Sequence, residues 1–173
     1  MAQRLGRRRA DRRHADGYDL QGRLRSAAAG VAMNPSFRMQ ECDLADGNRL
    51  DEARALMLAG QLEGAIPLDR PELTGVEDAF FARDNSTGEA VGVAVYYLPE
   101  GFDHLWLDIL YVVPRCRRQL IGSALVDAVM RVAKHRGFPK VEFGTMLTNE
   151  TMQRFARHEG FDKGVVYMSK ATA

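Results

Sequence analysis

Beyond residue 36 the spacing of hydrophobic and polar positions changes repeatedly, and each change predicts an element. Residues 37–42 form a short β-type run and read as a first strand. Asp46 or Asn48 can then cap a helix reaching about residue 59, with Leu50, Ala53 and Met57 on one face and Gly60 as its stop. Residues 60–71 read as a loop with room for a short helix. Two β-rich runs, 79–83 and 90–98, flank Asp84-Asn85-Ser86-Thr87-Gly88-Glu89, a hairpin signal. After a turn over 99–104, residues 105–113 are almost continuously apolar, as expected of a strand covered on both faces. Leu120/Ile121, Ala124/Leu125, Ala128/Val129 and Val132 then recur at helical spacing, while Asp127, Arg131 and Lys134 lie off that stripe. Gly137 and Pro139 end this helix, and Lys134, His135 and Arg136 sit where the macrodipole favours cations. Residues 140–147 predict another strand, Asn149 caps a short helix ending at Gly160, and 165–170 predict the last strand. Hairpin strands followed by a β-α-β-α-β section predict a mixed sheet in an α/β domain. Phe80, Phe81, Tyr96 and Tyr97 are assigned to its core.

A chain of 173 residues is long enough for one domain with a real core. No run approaches the roughly 18–20 apolar residues of a membrane span, so an integral membrane protein is not expected. The 24 Lys+Arg nearly balance the 23 Asp+Glu, which excludes a globally basic nucleic-acid binder, but the average hides a split. Residues 1–33 carry eight arginines against three aspartates, and residues 34–173 are net negative by four. The arm is poor in large apolar residues and without periodicity, so 1–33 is expected to be a mobile extension and 34–173 the domain. Two bland readings fit the arm, a solvated extension or sequence preceding a start at Met33. A sharper one is contact with nucleic acid or another anionic surface. The apolar stretch at 27–32 is too short for a secretory signal. Cys42 and Cys116 cannot make a disulfide framework, there is no CxxC pair, and His104, His135 and His158 lack metal-ligand spacing. No metal is expected, and the expected compartment is the cytoplasm.

The most informative segment runs from Val112 through Pro114, Arg115, Cys116, Arg117, Arg118, Gln119, Leu120, Ile121, Gly122 and Ser123 to Leu125. A strand ends, a basic loop follows, and a long helix begins at once. The first N–H groups of a helix lack internal partners and carry the positive end of its dipole, so such a loop suits a phosphate or pyrophosphate. Three arginines add complementary charge, Ser123 offers a hydroxyl, and Gly122 permits close approach to the backbone. The plain alternative is an ordinary turn with solvated arginines.

Here the chain resembles the GNAT superfamily of acetyl-CoA-dependent N-acetyltransferases. That family's loop reads Arg/Gln-x-x-Gly-x-Gly/Ala after a strand ending in Val-x-Pro, and Arg117-Arg118-Gln119-Leu120-Ile121-Gly122 matches its first and last fixed positions. A second landmark, Asn-x-x-Ala-x-x-Phe-Tyr-x-x-x-Gly-Phe, is similar to the stretch from Asn149 through Phe155 and Ala156 to Gly160-Phe161. The resemblance implies a single GNAT-like α/β domain with a mixed, mostly antiparallel sheet and helices on both faces. A pyrophosphate loop would lie between strand 4 and the following helix. It further implies acetyl-CoA as co-substrate, held by Arg117 through Ser123, by the backbone of Leu110, Tyr111 and Val112, and by Asn149, which is also a helix cap. Relatives often dimerise.

Asp108 lies inside the apolar strand Leu105-Trp106-Leu107-Asp108-Ile109-Leu110-Tyr111, where an unpaired carboxylate is costly. The resemblance places it where relatives carry a glutamate that removes a proton from the amine. An ion pair with an arginine or His104, or an exposed strand end, would explain it equally well. Two departures from the family pattern stand out. Leu120 replaces a glycine, which a leucine can do if it keeps a negative φ. Ala156 replaces the tyrosine that protonates the departing thiolate, leaving Tyr111 and Tyr167 as substitutes. Cys116 has no evident histidine partner and is not expected to be a nucleophile. The expected function is acetyl transfer to a primary amine, a small molecule in preference to a protein lysine or N-terminus, with 60–71 and 99–104 as acceptor-side loops. The competing reading is an acyl-CoA-binding sensor or interaction module with weakened catalysis.

Overall fold

A five-stranded sheet organises residues 36–162, the part of the chain that the computed structural model describes. In chain order the elements are β1 (Phe37–Asp43), α1 (Gly47–Leu62), β2 (Asp78–Asp84), β3 (Ala90–Tyr97), β4 (Leu105–Val112), α2 (Ile121–His135), β5 (Val141–Glu142) and α3 (Glu150–His158). The strands lie side by side in sequence order. The first four pair antiparallel and β4 pairs with β5 in parallel, which gives the expected mixed, mostly antiparallel sheet. The arginine-rich arm and the strand expected at 165–170 lie outside the described residues.

Helices α1 and α2 cover opposite faces. Gly92 and Val112 are cross-strand partners and so share a face, whereas Tyr111 points the other way. A Cβ on Gly92 would stand 3.3 Å from Ile121 and Leu125 of α2, and one on Gly60 of α1 would stand 3.0 Å from the Tyr111 ring. Both glycines thus set how closely a helix approaches the sheet. Gly60 does not stop α1, as its spacing suggested. It is buried within the helix, which continues to Leu62 and ends at Glu63, before the left-handed Gly64. Asp46 caps α1 by accepting from the Asn48 N–H at 3.0 Å. The loop that follows contains turns and no further helix.

Phe80, Phe81 and Tyr96 fill the core, with the Phe80 and Tyr96 rings stacked at 5.7 Å, but Tyr97 is only half-buried. β3 is covered on both faces nearly throughout. β4 is not: buried residues alternate with the half-buried Trp106, Asp108, Leu110 and Val112, because one side of this strand opens on a groove. The strand predicted over 140–147 shrinks to Val141–Glu142, since the chain then turns away from β4.

One buried ion pair locks α1 to the hairpin. Arg83 is almost fully buried; its guanidinium forms a fork with Glu52 at 2.7 and 2.5 Å, donates to Gln40 through Nε, and reaches the Gly88 carbonyl at 3.1 Å. Bidentate geometry offsets the cost of desolvating the arginine. The Arg83 hydrogen bonds hold the Glu52 carboxyl below its ordinary value of 4.5, against the opposing effect of burial. A carboxyl lowered in the folded state adds stability above its unfolded pKa and loses it as pH falls through the folded one. Glu52→Gln should therefore cost about 2 kcal/mol at pH 7, discounted for partial exposure. It should also flatten the loss of thermal midpoint on acidification below 4.5; calorimetry across pH 3–7 measures both effects.

Candidate active site

The site forms where β4 and β5 part. Their ladder covers Leu105 with Val141 and Trp106 with Glu142, after which β4 runs on alone to Val112. The resulting groove, about 1200 Å³, is walled by β4, residues 143–146, the loop at 63–70, the start of α2, and α3. Past Trp106 the β5-facing edge of β4 has no described ladder partner, so its backbone polar groups, apart from the Val112 carbonyl that Arg117 takes, are open to a ligand. Leu110, Tyr111 and Val112 line the groove from this strand.

Arg117, Arg118, Leu120, Ile121, Gly122 and Ser123 line its far end. Gln119 does not; its amide donates to the Arg115 carbonyl at 3.3 Å. The three arginines are not equivalent cations. Arg115 lies outside the groove, paired with Glu89 at 2.7 Å. Arg117 pairs with Glu63, donates to the Val112 carbonyl at 2.8 Å and lies 5.7 Å from the Tyr111 ring centroid. Arg118 forms no ion pair with any described residue, so it is the uncommitted charge of the loop. Ser123 is likewise engaged, donating its hydroxyl to Glu159 at 2.7 Å. Its backbone N–H, with those of Ile121 and Gly122, precedes the first helical bond, from the Ala124 N–H to the Leu120 carbonyl. Leu120 supplies no side-chain cap, so the positive end of α2 is left open to the groove. These donors fit a diphosphate. Gly122 has a packing role as well: a Cβ there would stand 3.3 Å from the Phe155 ring of α3.

Leu120 does not keep a negative φ. It sits at φ +62 beside Arg118 at +60, with its side chain 54% exposed, so packing does not compensate the left-handed conformation. That conformation costs an L-residue about 1–2 kcal/mol. Left-handed residues set among others can turn neighbouring backbone N–H groups toward one side, the arrangement that favours an anion.

At the inner end of the groove stands Asp108. Val95 pairs with Ile109 and Tyr96 with Leu107, which leaves Asp108 unpaired on a β-bulge. Its carboxylate meets the Arg70 guanidinium. Burial pushes the Asp108 carboxyl above its ordinary value of 3.8, and Arg70 opposes that shift. Arg70 also donates to the Pro71 carbonyl at 2.5 Å, while its buried Nε has no partner among the described residues. Asn149 caps α3 by accepting from the Met152 N–H at 3.0 Å and donates to the Ala65 carbonyl at 3.3 Å, tying two walls of the groove together.

Arg70, Glu63 and Glu159 escaped the sequence reading. The first two lie in or beside the segment at 60–71 that was expected on the acceptor side, and that segment does line the groove. No local pattern marks their charges as inward-facing. Ala156 is buried and does not line the groove. The Tyr111 hydroxyl donates to Glu63 at 3.4 Å; burial first, then the Glu63 charge, raises its pKa. Tyr167 lies outside the described residues. Among the described residues there is no cluster of His, Cys, Asp and Glu suited to a metal ion, and no helix long and apolar enough to cross a membrane.

The model of the acetyltransferase (GNAT) family matches residues 51–161, and the chain belongs to that family. No curated protein sequence matches the chain. Among solved structures it is similar to an aminoglycoside acetyltransferase from an uncultured soil metagenomic sample, solved with sisomicin, at 16% identity and TM-score 0.64 over 82% of this chain and 99% of that one. It is also similar to the aminoglycoside N-acetyltransferase AAC(6')-Iy in complex with CoA, at 19% identity and TM-score 0.56 over 82% and 99%. A third is the ribosomal-protein-alanine N-acetyltransferase of Brucella melitensis biovar Abortus 2308, at 20% identity and TM-score 0.57 over 79% and 98%. At these identities the likeness concerns the fold.

Leu120→Gly should leave unfolding free energy within about 0.5 kcal/mol, since relief of the left-handed strain offsets the added freedom of the unfolded chain. Leu120→Val should instead cost more than about 1 kcal/mol, because a β-branched residue resists positive φ. Urea unfolding of both variants provides the comparison.

Proposed function

We propose that the chain is an acetyl-CoA-dependent N-acetyltransferase that moves acetyl to a primary amine of a small molecule by direct attack within a ternary complex. The observation that carries this reading is the pairing, in one groove, of an anion-binding loop at one end with a bulged, partly buried carboxylate at the other. The net negative charge of residues 34–173 favours a cationic acceptor. The solved structures with aminoglycoside acetyltransferase activity in their names support a small-molecule amine, although a ribosomal-protein acetyltransferase shares the fold. We take the cytoplasm as its compartment, where Cys42 and Cys116 stay reduced.

In this reading the loop N–H groups and Arg118 hold the diphosphate, and the free edge of β4 holds the pantetheine arm. An alkylammonium with pKa about 10.4 must lose a proton before it can attack. Asp108 accepts that proton, directly or through water, and its raised pKa makes it a stronger base than an exposed aspartate. The amine nitrogen then bonds to the thioester carbon. β4 N–H groups stabilise the oxyanion, and the C–S bond breaks as the carbonyl re-forms. As it does so the nitrogen gives up its second proton to water, and the thiolate, with pKa about 8.5, leaves readily and takes a proton from water or from Tyr111. Arg70 keeps Asp108 ionised and oriented; it positions the base and does not touch the reacting atoms.

Free-thiol release from acetyl-CoA with a panel of amines tests the reading, and coenzyme-induced thermal stabilisation without turnover on any amine would support the sensor alternative instead. Asp108→Asn should cost about 10²–10⁴ in turnover with coenzyme binding retained. Because the base must be ionised, kcat/KM falls as pH drops through the Asp108 pKa. Arg70→Gln removes the influence that lowers that pKa, so its acid limb should move to higher pH. Unchanged pH profiles in Arg70→Gln would refute the assignment of Asp108 as base.

A further inference from the structure

Beside the inner end of the groove lies a second, smaller cavity of about 210 Å³, lined by Tyr97, Pro99, Phe102, His104, Trp106 and Glu142. Four of these six side chains are aromatic, and each has a reason to be where it is. Tyr97 and Trp106 are cross-strand partners at the end of β3 and the start of β4. His104 is buried, with Nε2 3.2 Å from Glu142, and its ring meets Phe102 edge-on at 5.1 Å. Phe102 is 60% exposed at the tip of the turn after β3, where an aromatic ring gains little from folding. Trp106 joins this cavity to the groove. Its six-membered ring lies 3.6 Å from where a Cβ on Gly144 would stand, and Gly144 lines the groove.

We propose that this cavity is the acceptor subsite, and that the acceptor presents to it a cationic group on an apolar stem, of the alkylammonium or arylalkylammonium class. The proposal rests on the acetyltransferase reading only for the word acceptor; the binding chemistry stands by itself. Aromatic faces attract a cation through their quadrupole, and one desolvated by several rings gains most. The charge of the rim agrees. Lys140 and Glu142 offset each other at 2.5 Å, which leaves Glu100 and Asp103 on the adjoining turn to set the sign of the rim. The volume is several times the roughly 30 Å³ share of one water and far below that of the groove. It therefore suits a single ring or a substituted ammonium, and a whole aminoglycoside would have to lie mostly outside it.

Trp106 is the only tryptophan in the sequence, so emission from the full chain reports on this wall alone. Titration with benzyltrimethylammonium, a cation that cannot be acetylated, should change that emission saturably, with or without CoA. The neutral tert-butyl analogue should bind roughly three- to thirtyfold more weakly. Phe102→Ala, a change at an exposed turn, should weaken the cation by a similar factor. In thiol-release assays it should raise KM for m-xylylenediamine, whose second ammonium can sit in the cavity while the first reacts, and leave coenzyme affinity unchanged. Equal binding of the neutral analogue, no saturation below about 10 mM, or a Phe102→Ala variant that matches the parent in both assays would overturn the proposal. Cation-selective binding at Trp106 without thiol release from any amine would leave the cavity standing and remove the acetyltransferase reading.

Discussion

Two parallel strands that touch at only two residue pairs govern this molecule. A parallel ladder normally runs on as far as both strands do, satisfying each backbone group in turn. Here β5 leaves β4 after Trp106 and Glu142, and residues 107–112 keep their antiparallel neighbour while losing the parallel one. Unpaired backbone groups in a protein interior demand a partner. The parting of the strands therefore creates both the space for a ligand and the need for one, along the same stretch of β4. Every other feature of the site is arranged about that edge: the bulge at Asp108, the loop after Val112, and the α3 cap at Asn149 that bridges to Ala65.

The opposite flank of the sheet explains how such an opening is tolerated. β2 and β3 are covered on both faces, and Arg83 fastens the hairpin to α1 through Glu52. Gly60 and Gly92 let the two helices sit close to the strands. Stability is thus concentrated at β1 to β3, away from the groove. A rigid scaffold with function at one unsatisfied edge is a common division of labour in α/β domains.

Period and punctuation in the sequence located nearly every element, and the exceptions share a physical cause. Gly60 has the local signature of a helix stop, but it lies inside α1 where a Cβ would run into Ile66 and Tyr111, a close approach that no local pattern encodes. The apolar run over 105–113 suggested cover on both faces, yet half of that strand borders the groove, since a ligand site can be as apolar as a core. Likewise 140–147 has strand composition, but pairing depends on where β4 goes. At the site, the loop and Asp108 were legible because each breaks a local rule, a cation cluster before a helix and a carboxylate within a strand. Arg70, Glu63 and Glu159 break none. Their importance comes from meeting Asp108, Arg117 and Ser123 across 38, 54 and 36 residues of chain.

The Arg117–Glu63 contact alters how the loop after β4 should be pictured. An arginine awaiting a diphosphate would be a pure electrostatic attractor, and affinity would track its full charge. This one already has an internal anion, so an incoming diphosphate must trade places with, or share the guanidinium with, a carboxylate tethered to the end of α1. If the loop holds a diphosphate as proposed, its arrival is felt first at Glu63, where the segment that carries Arg70 begins.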